Sequence, residues 1–165
     1  MASARPGRAR TTGPVGGAAD EDARAWARAT RWLAARDRSA HELTQRLAAA
    51  GVAPAVGART LQRLREHGYL DDARLAGQTA AGAIRRGVGS VRVRADLESR
   101  GIAEPCIVAA LAAHFADEAG LARSVLAQRT PELPRDPRQR ARAARWLLQR
   151  GFPESVVLAI LGEGC

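Results

Sequence analysis

The chain has 165 residues with 26 basic side chains, every one an arginine, against 17 acidic ones, for a formal charge of +9. Aromatics make up only 4%, and Ala, Arg and Leu abound while β-branched residues are sparse, which excludes an all-β fold and points to an all-α one. The length suits one ordinary domain or a short repeat array; no apolar run reaches the roughly 18 residues of a membrane span, and two cysteines cannot build a disulfide framework or a four-ligand zinc site.

Residues 1–22 are rich in Gly, Ala, Pro and Arg, lack an apolar period and end in the acidic run Asp20-Glu21-Asp22, so they read as a disordered tail. Arg5, Arg8 and Arg10 are not followed by an apolar stretch, which rules out a secretory signal and leaves the reducing cytoplasm as the expected address. A helix is predicted over 23–36, carrying Trp26, Thr30 and Leu33 at helical spacing. Ser39 and Glu42 form a capping box that opens a second helix through Leu43 and Leu47 to Gly51. Pro54 opens a third, with Val56 and Leu61, which stops by Gly68.

The series then starts again. Asp71 begins a helix over 72–86 with Leu75, Thr79, Ala83 and Ile84, and Gly87 and Gly89 break it. Ser90 is expected to cap the next helix, which runs through Val93 and Leu97 to Gly101; Pro105 opens another, with Cys106 and Leu111. Asp117 begins a helix over 117–129 with Leu121, Val125 and Leu126, and the segment from Thr130 to Pro137, with three prolines, separates it from a helix carrying Ala143 and Leu147. Gly151 and Pro153 introduce the last, with Val156 and Leu161.

Gly51, Gly101 and Gly151 stand 50 residues apart, with Leu47, Leu97 and Leu147 four before each and Leu61, Leu111 and Leu161 ten after. Such a period marks stacked helical units that cannot bury their apolar faces alone. The chain therefore reads as three tandem three-helix repeats, about nine short helices, over 23–72, 73–116 and 117–165. The expected product is an elongated, curved array without a deep pocket, and an unsymmetrical array of this kind is expected to be a monomer.

Nothing in the pattern suggests catalysis, a metal or a cofactor. His41, His67 and His114 fall on separate helices without an i, i+4 partner. A Walker loop is impossible without lysine, and Gly87-Val88-Gly89 reads as a helix break. Asp71-Asp72 fits a helix N-cap better than a paired-carboxylate site, and Cys106 fits a small core position.

The arginines are more informative. Arg138, Arg142 and Arg145, continued by Gln149, follow spacings of 4, 3 and 4 and form one helical stripe opposite Ala143 and Leu147. Arg24, Arg28 and Arg31 make a similar stripe, as do Arg59 and Arg63, while Arg85, Arg86, Arg92 and Arg94 flank the Gly87–Gly89 break. Most exposed arginines are simply solvated; few acids interleave with the 138–149 stripe, however, and guanidinium forks suit phosphates and carboxylates.

Taken together, Arg36-x-Arg38-Ser39-x-x-Glu42-Leu43, Gly68-Tyr69-Leu70-Asp71-Asp72, Gly87-x-Gly89, Gly101-Ile102 and Arg150-Gly151-Phe152 resemble the RecX family of bacterial recombination regulators over residues 23–162. The resemblance implies tandem three-helix repeats and a non-enzymatic modulator that binds the RecA protein and its single-stranded DNA filament, lowering strand exchange, ATP hydrolysis and co-protease activity. Weak, non-specific DNA binding fits the same reading. A helix-turn-helix-like DNA-binding module is the other reading of paired helices with a Gly turn; three equivalent repeats without a distinctive recognition helix argue against it.

Overall fold

The computed structural model describes residues 15–130 and 136–162, and all the regular structure among them is α-helical. In chain order the helices are α1 (Val15–Ala35), α2 (Ala40–Ala49), α3 (Pro54–Glu66), α4 (Asp72–Arg85), α5 (Ser90–Ser99), α6 (Glu104–His114), α7 (Glu118–Arg129), α8 (Pro137–Gln149) and α9 (Glu154–Leu161). Among the described residues, substantial helix–helix packing occurs only within three successive triplets, with the first and third helix of each triplet side by side and the middle one bracing them.

Burial follows the apolar period. Ala29, Leu43, Leu61 and Leu64 form the main core of the first triplet; Ala76, Ala80, Val93, Leu97 and Ile107 that of the second; Ala122, Val125, Leu147 and Phe152 that of the third. No cluster spans two triplets among the described residues. Short side chains at Ala25 and Ala29, Ala76 and Ala80, and Ala122 are almost fully covered. They let the third helix of each triplet approach the first closely. In the third copy Ala143 stands where the others have Leu43 and Val93, and a cleft of about 260 Å³ lies beside it, lined also by Leu126, Arg129 and Arg142.

The 50-residue glycines close α2, α5 and α8 in the left-handed conformation, at φ of 75° for Gly51, 68° for Gly101 and 85° for Gly151. Such a φ costs glycine little and any other residue much, which is why the turn recurs with this residue. Asp71 and Asp117 are the N-caps of α4 and α7, accepting from the N–H groups of Arg74 and Gly120, and Ser39 with Glu42 forms the full capping box.

Two expectations are corrected. The first helix begins at Val15, so residues 15–22 are helix and not tail; the remainder of that segment, 1–14, lies outside the described residues, as do Pro131 and Pro134. The acidic run that looked like the end of the tail is what fastens the added turns. Asp20 pairs with Arg24, Asp22 pairs with Arg59 of α3 at 2.8 Å, and Glu21 accepts from the Ala53 N–H at 3.3 Å. The second correction is at Ser90, which is the first residue of α5. Its N-cap is Gly89, with no side-chain cap. The Ser90 hydroxyl points instead to Glu118 of α7, at 2.7 Å.

Candidate functional site

The predicted arginines meet different fates. Arg138, Arg142 and Arg145 are all exposed along one face of α8, and none has a carboxylate within ion-pair distance among the described residues; Arg145 only touches the Ala141 carbonyl of its own helix. Arg31, Arg85, Arg86 and Arg92 are likewise exposed without a carboxylate partner in that set. The others are engaged inside the fold. Arg24 and Arg59 hold the acidic run of α1. Arg28 donates to the Ala50 carbonyl at 3.1 Å, and Arg63 stacks over Trp26 with its guanidinium 4.5 Å from the ring centre. Arg94 reaches Glu104 at 2.7 Å and Glu98 at 3.6 Å; its pKa is raised, first by the hydrogen bond to Glu104.

The junctions between triplets hold a second set of arginines, outside the stripes that periodicity marks. Each junction is built by three corresponding contacts, and the middle-helix and arginine positions that make them recur 50 residues apart. The Ser39 hydroxyl donates to the Arg100 carbonyl at 2.6 Å, and the Gly89 N–H donates to the Arg150 carbonyl at 2.9 Å. The first amide of the middle helix reaches a carboxylate on the next triplet: Ala40 N–H to Asp72 at 3.0 Å, Ser90 N–H to Glu118 at 2.7 Å. A guanidinium returns across the seam to the preceding connection, from Arg100 to the Asp37 carbonyl at 3.1 Å and from Arg150 to the Gly87 carbonyl at 2.8 Å. The positive N-terminus of one middle helix thus meets the negative C-terminus of the next, a favourable alignment of helix dipoles. One signal was available: Arg100 and Arg150 both directly precede a 50-residue glycine.

At the first junction Glu42 is the centre of charge. Its carboxylate accepts from Arg36 at 3.3 Å, from Arg100 at 3.2 Å and from the Ser39 N–H at 2.8 Å. Burial alone would raise the Glu42 pKa, but the Ser39 amide and the Arg100 guanidinium outweigh it, and the carboxyl is held below its ordinary range. Nearby Arg38 is buried, at 8% exposure, and its basicity is reduced by that burial and by Arg36 and Arg46. Because the folded-state pKa of Glu42 lies below the unfolded one, its stabilisation is complete above pH about 4.5 and is lost as the pH falls further. Glu42→Gln is expected to cost about 1–2 kcal/mol at pH 7. In thermal melts at pH 7 and pH 3 the gap between variant and parent should narrow at the lower pH; a constant gap would refute the charge-based account.

The remaining polar chemistry is sparse. Among the described residues no group of three or more His, Cys, Asp and Glu side chains is placed to hold a metal ion, and no single helix is long and apolar enough to cross a membrane. Cys106 is half-buried against the core of the second triplet.

These features define a class: an all-helical tandem repeat protein whose polar side chains are spent on inter-repeat seams and basic exposed faces. Residues 25–72 match the family model for the first three-helix domain of RecX, and residues 71–111 that for the second. The regulatory protein RecX of Chromohalobacter salexigens is 42% identical over 124 residues, 75% of this chain and 82% of that protein, and the one from Halorhodospira halophila is 36% identical over 132 residues, 79% and 82%. A crystal structure of regulatory protein RecX superposes with a TM-score of 0.70 at 26% identity over 87% of this chain and 72% of the other. RecX from Lactobacillus salivarius shares the fold, with a TM-score of 0.71 at 16% identity over 87% and 96%. The chain belongs to the RecX family of regulatory proteins.

Proposed function

We propose that this chain binds the RecA recombinase and its filament on single-stranded DNA and inhibits recombination, ATP hydrolysis and co-protease activity, without catalytic activity of its own, in the cytoplasm. Family membership carries the reading, and the charge distribution supports it. A recombinase filament presents a repeating, partly anionic surface, and a helical array can engage it through many shallow contacts. The α8 stripe of Arg138, Arg142 and Arg145 is the part of the surface best suited to such contacts, being exposed and free of carboxylates among the described residues.

The test is ATP turnover by RecA on single-stranded DNA with the purified chain added; a dose-dependent fall is expected, and unchanged turnover at saturating protein overturns the reading. Arg142→Ala combined with Arg145→Ala is expected to weaken inhibition about tenfold while leaving helical content intact, two rim contacts of about 0.7 kcal/mol each being enough. Undiminished inhibition by that variant would remove the α8 stripe from the contact surface.

A further inference from the structure

The two junctions have the same architecture but opposite charge logic. Beside the first junction lies a cleft of about 360 Å³ that includes Arg36, Arg38, Glu42 and Arg46 among its walls. Beside the second lies a cleft of about 530 Å³, and Arg86, Val88, Arg92 and Asp96 occupy the same four repeat positions there. Arg150 closes the second cleft and corresponds to Arg100. The two are therefore one site copied twice.

In the first copy Arg36 and Arg100 share the carboxylate of Glu42. In the second, the position of Glu42 is taken by Arg92. Arg86 and Arg150 thereby lose their built-in anion, and a third guanidinium is added. None of the three has a carboxylate within ion-pair distance among the described residues, Asp96 included, although Asp96 lies in the same wall. Arg150 is meanwhile fixed in place: its Nε and Nη2 donate to the Gly87 and Arg86 carbonyls at 2.8 and 2.5 Å, and its guanidinium lies 5.0 Å from the ring centre of Trp146. A pre-positioned guanidinium loses little entropy when it binds an oxyanion. Arg86 and Arg92 are exposed at the rim, so the cleft is reachable from solvent.

We infer that the cleft between the second and third triplets, formed by Arg86, Arg92 and Arg150, is an oxyanion site that holds a backbone phosphate of single-stranded nucleic acid. The first junction supplies the reference: there the equivalent pair of arginines already grips an oxyanion, from within the chain. Two guanidiniums suffice for the planar carboxylate of Glu42; three suit a phosphodiester, which offers acceptor oxygens in more directions. Ala83, Val88 and Val93 give the cleft an apolar wall against which a sugar can rest. The assignment rests on the filament-binding reading only in its choice of nucleic acid as the source of the oxyanion.

The experiment uses the full chain and a fluorescein-labelled oligothymidylate, without RecA, with binding followed by anisotropy across a salt titration. Arg86→Gln with Arg92→Gln is expected to lower affinity about tenfold and to flatten the log–log salt dependence by about 0.7, the share of the one phosphate contact that the cleft makes on a single strand. Arg92→Glu, which restores the charge of the first junction, is expected to weaken binding at least as much while leaving the thermal midpoint unchanged or raised. Unchanged affinity and slope in both variants overturn the assignment, as does a parent chain that does not bind the oligonucleotide. If the double variant binds the oligonucleotide normally but loses affinity for RecA free of DNA, the cleft takes an acidic protein surface and the assignment is equally overturned. Because the probe contains no RecA, a chain that binds it through this cleft yet leaves RecA turnover untouched would sink the proposed function and spare the site.

Discussion

Gly89→Ala is expected to split the unfolding of this protein into two transitions, with the third triplet released first. A methyl group at position 89 would lie well inside the van der Waals radius of the Gly151 carbonyl oxygen and of the Phe152 amide nitrogen. Both obstacles are backbone, so no rotamer change relieves them. The Gly89 φ of −80° is open to any residue, which makes this a problem of space and not of backbone conformation. The seam must open, and it then loses the Gly89 N–H to Arg150 carbonyl bond at 2.9 Å and the Val91 N–H to Gly151 carbonyl bond at 3.0 Å. Overpacking of this kind costs about 1–3 kcal/mol and each lost bond about 1 kcal/mol. Hydrogen exchange should show the Gly89 and Val91 amides losing protection while the core amides around Leu97 keep theirs. A single cooperative transition at the parent's midpoint would show that the seam does not couple the triplets.

Much of this arrangement was written in local pattern, and the exceptions share one cause. The 50-residue glycines, the capping box at Ser39 and Glu42, and the N-caps at Asp71 and Asp117 depend on residues within a few positions of one another, and each sits where its spacing placed it. The start of α1 is not legible in local pattern because Asp22 finds its partner, Arg59, 37 residues away. The role of Ser90 is not local either, because Glu118 lies 28 residues on and the Gly151 backbone crowds position 89. The arginines show the same division. Periodicity placed Arg138, Arg142 and Arg145 on one exposed face, but could not tell that Arg59, Arg63 and Arg94 are engaged with Asp22, Trp26 and Glu104. The charge inversion between Glu42 and Arg92 was visible in the repeat alignment, yet it acquires meaning only once Arg100 and Arg150 are seen to return across their seams. Repeats make folds legible and hide the seams, since an interface belongs to two copies at once.

The same separation between copies and seams governs the core. Leu97→Ala is expected to cost about 2–5 kcal/mol, the usual range for a fully buried leucine whose removal leaves a cavity. Leu97 has no exposed surface and packs among Leu75, Val93, Ile102 and Ile107, all in the second triplet. That triplet carries both seams, so weakening it weakens the support of its two neighbours. Leu147→Ala removes an equally buried residue from a triplet with one seam, and its damage should stay local. The tryptophans allow the two cases to be told apart, because Trp26 and Trp32 lie in the first triplet, Trp146 in the third and none in the second. In urea titrations Leu97→Ala should shift the helical circular dichroism and the tryptophan fluorescence together, although no tryptophan is near the substitution. Leu147→Ala should instead divide the fluorescence change into an early step from Trp146 and a late one from Trp26 and Trp32. If Leu97→Ala lowers the helical signal while the fluorescence midpoint stays at the parent's value, the outer triplets fold without the middle one. In that event the hydrogen bonds at the seams join the triplets without stabilising them.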